Sequence, residues 1–312
     1  MHSLRGPRRN PGASCVWGEW EAGRVGRGVW GCRGLRWGEG APVLQWEGGR
    51  GSRLEYGQVV AFRGVGERVC LGVRGRGCPF GAVVGGRSTG GQCEECARLD
   101  RSRSVAADTL VDDPRTYRVY LAWFGPGMVK VGITAEERGA ARLLEQGAVV
   151  FGWLGRGPLM AARRTEELLR HALGVPDRIP YARKRAVRAV LPGPGERGRE
   201  VEELYGRAVG LAGWAETLEV LELGVVDHAG VFGLDAVTGV DGVVTELVDD
   251  GSVVGELVAA AGPDLHLVAG GGRRLVLDTR LMAGWGLVAA GAGDGVSVPV
   301  KAVAPGVQGG LF

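Results

Sequence analysis

The chain has 312 residues, of which 45% are hydrophobic, and a formal net charge of +3, so it is long enough for two or three domains with filled cores. No run of eighteen apolar residues occurs, which excludes a membrane-spanning helix, and the basic opening MHSLRGPRRNPGAS leads into no apolar stretch, so it is expected to be a disordered leader (1–28) and not a signal peptide or anchor. Composition points to a soluble cytoplasmic protein.

The small net charge hides an asymmetry. Residues 1–110 carry 17 Lys and Arg against 10 Asp and Glu, residues 111–210 carry 17 against 12, and residues 211–312 carry 4 against 13. A basic body suits a polyanionic partner, because each phosphate contact releases counterions and adds affinity. The competing explanation is compositional: only three of the cations are lysine, and an arginine-rich chain leaves many guanidinium groups solvated at its surface.

The six cysteines, at 15, 32, 70, 78, 93 and 96, all fall in the first third. Without a secretory signal, such clustering favours metal ligation over disulfides. Cys93 and Cys96 form a Cys-x-x-Cys pair, and Cys70 and Cys78 flank a Gly-rich turn upstream. Four thiolates from Cys70, Cys78, Cys93 and Cys96 would close a structural zinc site. Cys32 is the reserve ligand, and Cys15 has no assigned role. Around them APVLQWEG, QVVAFRG and RVCLGVRG alternate apolar and polar residues as short strands. A sheet this small buries little, and a bound metal would supply the missing stability.

After a charged linker ending near Pro114, YRVYLAWF and MVKVGIT predict two strands joined by a Gly-Pro-Gly turn, a β-hairpin. AEERGAARLLEQGA predicts a helix, with Thr134 as N-cap and Gly147 at its end. In GPLMAARRTEELLRHALGVP, Pro158 suits a first turn and Gly174 a C-cap. Leu159, Ala162, Leu169 and Leu173 recur at helical spacing, and Glu166 projects from that same face, whereas Glu167 shares the outer face with Arg163 and Arg170. A carboxylate on an apolar face is costly unless it is paired or holds a cation. His171 falls on the polar side.

This order, a hairpin with Tyr120 in RVY (Arg118 to Tyr120) and Lys130 in KVG (Lys130 to Gly132), an arginine helix, then a helix glutamate, resembles the GIY-YIG nuclease core. VKVGIT, RLLEQGA, the upstream cysteines and DLHLVAGGGRRLVLDTR together resemble a bacterial family, domain-of-unknown-function family 2797, in order over roughly residues 30–290. The nuclease resemblance implies metal-dependent phosphodiester hydrolysis. In it Glu166 would hold Mg²⁺ or Mn²⁺, Arg142 (or Arg138, one turn earlier) would stabilise the transition-state phosphate, and Tyr120 would position or deprotonate the attacking water. Lys130 stands where active nucleases often carry tyrosine; it would bind phosphate or act as base, or else mark a core that has kept binding and lost hydrolysis. Structural alternatives stand beside these roles: Tyr120 packing within the hairpin, and an Arg142–Glu166 ion pair.

Pro180 to Arg188, with Arg183, Lys184, Arg185 and Arg188 and no acid, is a candidate phosphate-contacting strip or an ordinary solvated loop. REVEELYGRAVGLAGWAETLEVL predicts another amphipathic helix. From about Leu221 the Val, Gly and Asp content with Asp-Gly and Gly-rich turns predicts strands, whose acidic surplus would shield the basic body by docking on it. The expected architecture is α+β: a zinc-stapled β-region (29–104), a GIY-YIG-like core of hairpin plus helices (115–215) and a small acidic β-domain (216–312). Nucleic acid is the expected partner, with a non-catalytic zinc-containing binding module as the alternative to a nuclease.

Overall fold

The computed structural model describes residues 28–101, 113–291 and 293–303. The expected leader up to residue 27, Cys15 and most of the linker lie outside the described residues. Strands β1 (Trp30–Gly38), β2 (Ala41–Trp46), β3 (Gly51–Arg53) and β4 (Val59–Val65) precede a loop-rich segment and helix α1 (Glu94–Arg101). Next come the hairpin strands β5 (Thr116–Trp123) and β6 (Val129–Ala135), helix α2 (Ala141–Gln146), strand β7 (Val150–Pro158) and helix α3 (Leu159–Leu173). Helices α4 (Tyr181–Val187), α5 (Pro194–Arg197) and α6 (Arg199–Val209) lead to short strands β8 (Glu219–Val220) and β9 (Val226–Asp227) and the helical turn α7 (Ala229–Phe232). Then follow β10 (Gly242–Val244), β11 (Ser252–Ala261), β12 (Asp264–Ala269), β13 (Arg273–Asp278), β14 (Gly286–Ala289) and β15 (Val300–Ala302).

The segments 29–104 and 216–312, which the sequence suggests as two separate β-regions, contribute strands to one ten-stranded sheet, ordered β15-β10-β13-β12-β11-β4-β14-β1-β2-β3. Strand β4 is the joint. It pairs antiparallel with β11 on one side and β14 on the other, and Val60, Ala61 and Phe62 are buried between them. A short strand that buries little beside its sequence neighbours thus gains its partners from the far end of the chain. The acidic segment is therefore built into the sheet, and removing it after Ala215 would strip β4 of both neighbours.

The second sheet has the order β6-β5-β7-β8, with β9 also pairing β7. Alternation along β5 sends Tyr117, Val119, Leu121 and Trp123 into the main core, with Leu159, Ala162 and Leu169 of α3 and Val201 of α6. Tyr120, Ala122 and Phe124 point the other way, into a smaller cluster with Leu143 of α2 and Phe151 of β7. With helices over both faces, the hairpin strands are buried almost throughout, and each large apolar side chain so enclosed stabilises the fold by about 1.5–3 kcal/mol.

Helix α3 has the boundaries its sequence signals: Pro158 precedes it and Gly174 closes it at φ 66°. The preceding helix is shorter than expected. Strand β6 runs to Ala135, so Thr134 lies in the strand and caps nothing; Glu136–Arg138 form one 3-10 turn, and Gly139 at φ 48° breaks it before α2 begins. RVCLGVRG is no strand either. Val73 and Arg76 exchange two backbone hydrogen bonds around a two-residue turn, with Arg74 and Gly75 at φ 50° and 82°, and a Cβ at Gly72 would meet the Arg76 carbonyl. No helix of the described residues is long and apolar enough to cross a membrane.

Candidate active site and metal centre

Tyr120, Lys130, Arg142 and Glu166 line one cavity of about 1100 Å³. They come from four elements: β5, β6, α2 and α3. Tyr120, Lys130 and Arg142 belong to the α2 side of the small sheet. Glu166 arrives from α3 on the other side at the free edge of β6, where the chain after α3 runs past and Val131 N–H donates to Pro176 O at 3.1 Å.

Within the hairpin Tyr120 is directly opposite Gly132. A Cβ at Gly132 would strike the tyrosine ring, so glycine is required there for the ring to lie flat across the strand. The Tyr120 hydroxyl accepts from Gln146 Nε2 at 2.9 Å, and Trp153 meets its ring edge-on. Lys130 is 9% exposed. Its Nζ donates to Asp177 O at 3.2 Å and stands 5.6 Å from the Tyr120 ring centroid. Arg142 does not pair with Glu166; its guanidinium lies 3.7 Å from Glu145 Oε2, a carboxylate that Arg138 holds at 2.7 Å. Glu166 is half-buried and has no ion pair of its own among the described residues. Glu167 is exposed and engages Arg170 and His171 on the outer face.

Burial dominates the electrostatics. It pushes the Glu166 carboxyl up, against the attraction of Lys130. It draws Lys130 down to about 8, helped by Arg142 and opposed by Glu166. It pushes the Tyr120 hydroxyl up, with Gln146 and Arg142 acting in the opposite sense. Guanidinium groups of Arg115, Arg138, Arg163, Arg170 and Arg178 also border the cavity.

The strip Arg183, Lys184, Arg185 and Arg188 is helix α4 with its C-cap, Arg188, and not a loop, and only Arg183 of the four is exposed. Arg185 is bound by Asp264 and Asp278 at 2.6 Å each, and Arg188 by Asp264 at 2.6 Å, with Asp264 wholly buried. Arg188 also donates to Ala261 O at 3.1 Å and lies 3.5 Å from His266 Nε2. These two cations are consumed in fastening α4 to β12 and β13, so they are not free for phosphate. Lys184 turns the other way, into the cavity. The DLHLV and LDTR segments that supply the carboxylates were visible in the sequence; their pairing with α4 was not.

The sulfur atoms of Cys70, Cys78, Cys93 and Cys96 lie within 4.8 Å of one another, with Cys78 and Cys93 at 3.9 Å. Four thiolates about 2.3 Å from one zinc ion are separated by about 3.8 Å, so this group could hold a metal ion such as zinc. Backbone N–H groups of Gly72 and Cys93 donate to Cys70 Sγ, at 3.4 and 3.1 Å. Cys32 is buried in β1, outside this group, and burial pushes its thiol up to about 12. Arg68, 1% exposed, ties the cysteine loops to the large sheet by donating to the carbonyls of Gly85, Ser88, Gly90, Arg280 and Ala283 at 2.6–3.0 Å. Nothing in its local sequence marked it.

The family model described as "Protein of unknown function (DUF2797)" matches residues 57–287. That span runs from the start of β4 into β14, taking in the cysteine group, the cavity and the α4 carboxylates. No curated protein and no solved structure matches the chain.

Proposed function

The chain belongs to the DUF2797 family, and from that premise, which carries no activity with it, we propose that it is a metal-dependent nucleic-acid phosphodiester hydrolase with a GIY-YIG-like core. One observation carries the proposal: Tyr120, Lys130, Arg142 and Glu166, chosen for their order in the sequence, border a single cavity. The order hairpin, arginine helix, third strand and glutamate helix supports the same reading. The donor chemistry fits a hard cation, because Glu166 is a half-buried carboxylate without an ion pair among the described residues.

A divalent ion, Mg²⁺ or Mn²⁺, held by Glu166 would supply charge neutralisation at the leaving oxygen. Arg142, with its guanidinium only loosely engaged by Glu145 at 3.7 Å, offers forked donors to the phosphate as its negative charge grows. Burial opposes loss of the Tyr120 proton. Its hydroxyl, which already accepts from Gln146, is therefore a donor that orients the attacking water or the phosphate. The base role passes to Lys130, which is less basic than a solvated lysine. Cys70, Cys78, Cys93 and Cys96 would hold zinc in a structural part, keeping the 67–101 segment in shape.

A second reading keeps the same cavity for binding alone, favoured by Lys130 in the second triplet. Incubation of end-labelled single- and double-stranded DNA and RNA with Mg²⁺ or Mn²⁺ separates the two: a hydrolase shortens at least one substrate, whereas a binding module retains all of them intact.

A further inference from the structure

Lys184 is the buried cation of α4 that neither the buried carboxylates nor the proposed reaction uses. It is 4% exposed. Its Nζ donates to Gln146 O at 3.0 Å and lies 3.7 and 4.5 Å from the Phe124 and Tyr181 ring centroids. An ammonium carries three donors, and one carbonyl satisfies only one of them, while the same side chain borders the cavity together with Lys130. Lys130 likewise has one carbonyl partner, Asp177 O. Two buried amines, each with one carbonyl partner and no carboxylate of its own, therefore border the same space. The carboxylate that acts on Lys184, Asp264, is already shared by Arg185 and Arg188. Burial, then the positive charges of Lys130 and Arg188, draw Lys184 down to about 7, as expected where cations are crowded without a counter-charge.

Resting on the nucleic-acid reading above, we propose that Lys184 seats a terminal phosphate in the cavity, beyond the Lys130 that serves the reaction, so that the preferred ligand is a strand end carrying a phosphomonoester. Accessibility selects the end over the interior. Lys184 is the deeper of the two amines, 4% exposed against 9% for Lys130, and a phosphodiester flanked by nucleotides on both sides reaches it less readily than a terminal group does. A terminal phosphate projects alone, and its second ionisation, with a pKa of about 6, gives it nearly twice the charge of a diester at neutral pH.

The test is fluorescence anisotropy with the full chain, no divalent ion added, and one labelled single strand bearing a 5′-phosphate, a 3′-phosphate or only hydroxyl ends. One of the phosphorylated strands is expected to bind tighter than the hydroxyl strand by about tenfold or more, the worth of one or two charge-assisted hydrogen bonds. Lys184→Met should abolish that preference and leave the hydroxyl strand unaffected. Inorganic phosphate should compete against the phosphorylated strand alone. Equal binding of all three strands by the wild-type chain overturns the terminal-phosphate seat and leaves the nucleic-acid reading standing; failure to bind any strand overturns both. Should Lys184→Met fail to fold, the wild-type comparison and the phosphate competition decide between the same outcomes.

Discussion

Tyr120 lies across the hairpin from Gly132, and its ring occupies the space that any side chain at Gly132 would need. The RVY and KVG triplets are thus one packing unit: the glycine of the second is there for the tyrosine of the first. Gly132→Ala is expected to destabilise the chain by about 1–3 kcal/mol, as for other overpacked sites. Urea denaturation checks this, and the loss should shrink when Tyr120→Ala is combined with it, because the clash then has no second partner.

The α4 carboxylate cluster makes stability depend on acid. His266 is drawn down to about 3 by burial and by Arg188, and Asp264 is held below its ordinary 3.8 by Arg188 and Arg185 against a large burial penalty. In both cases the unfolded chain binds protons more readily than the native one, so stability falls as pH falls. For His266 the window opens below its ordinary 6.5 and closes near 3; Asp264 adds its share below 3.8. Denaturation midpoints between pH 7 and 4 should decline for the wild type and decline less for His266→Gln. Asp264→Asn, which leaves Arg188 buried beside a neutral group, should cost about 3–5 kcal/mol at neutral pH.

The cysteine group is expected to hold one zinc ion per chain, counted by metal analysis of the purified protein. Chelation should lower the melting temperature and expose four thiols to a thiol reagent, and Cys93→Ser should reproduce the effect without chelator. Because Arg68 binds these loops to the carbonyls of Arg280 and Ala283, the loss should reach the large sheet instead of staying local.

What could be read from the sequence was local. The hairpin, the cysteine spacing and the ends of α3 follow from turn chemistry, ligand pairs and caps that lie within a few residues of one another. Glu166 could be assigned to the inner edge of its helix by period alone. What was hidden was long-range pairing. Strand β4 finds β11 about 190 residues away, and no alternation pattern names its partner. Arg185 and Arg188 show their charge in the sequence but not the carboxylates that neutralise it, so a buried tie looked like a basic strip. The Arg142–Glu166 pair was a fair expectation from two charges near one core; Glu145, one helical turn along, takes the arginine instead.

Glu166 and Lys130 are electrostatically coupled, each moving the other toward its charged form. Replacing Glu166 by glutamine removes the attraction that supports the Lys130 ammonium, so Lys130 should titrate lower still. The pH dependence of its acylation by an amine-selective reagent, read by peptide mapping, checks the direction without any assay of activity.

The central claim is that this cavity cleaves phosphodiesters through Glu166, and nicking of supercoiled plasmid or cleavage of RNA with Mg²⁺ or Mn²⁺, run beside Glu166→Gln, tests it most directly. The account predicts cleavage by the wild type and a loss of about a hundredfold or more in the variant, with folding and nucleic-acid retention unchanged. Cleavage that survives in Glu166→Gln, or retention of both substrates intact by the wild type, would contradict it and leave the hairpin core as a binding scaffold.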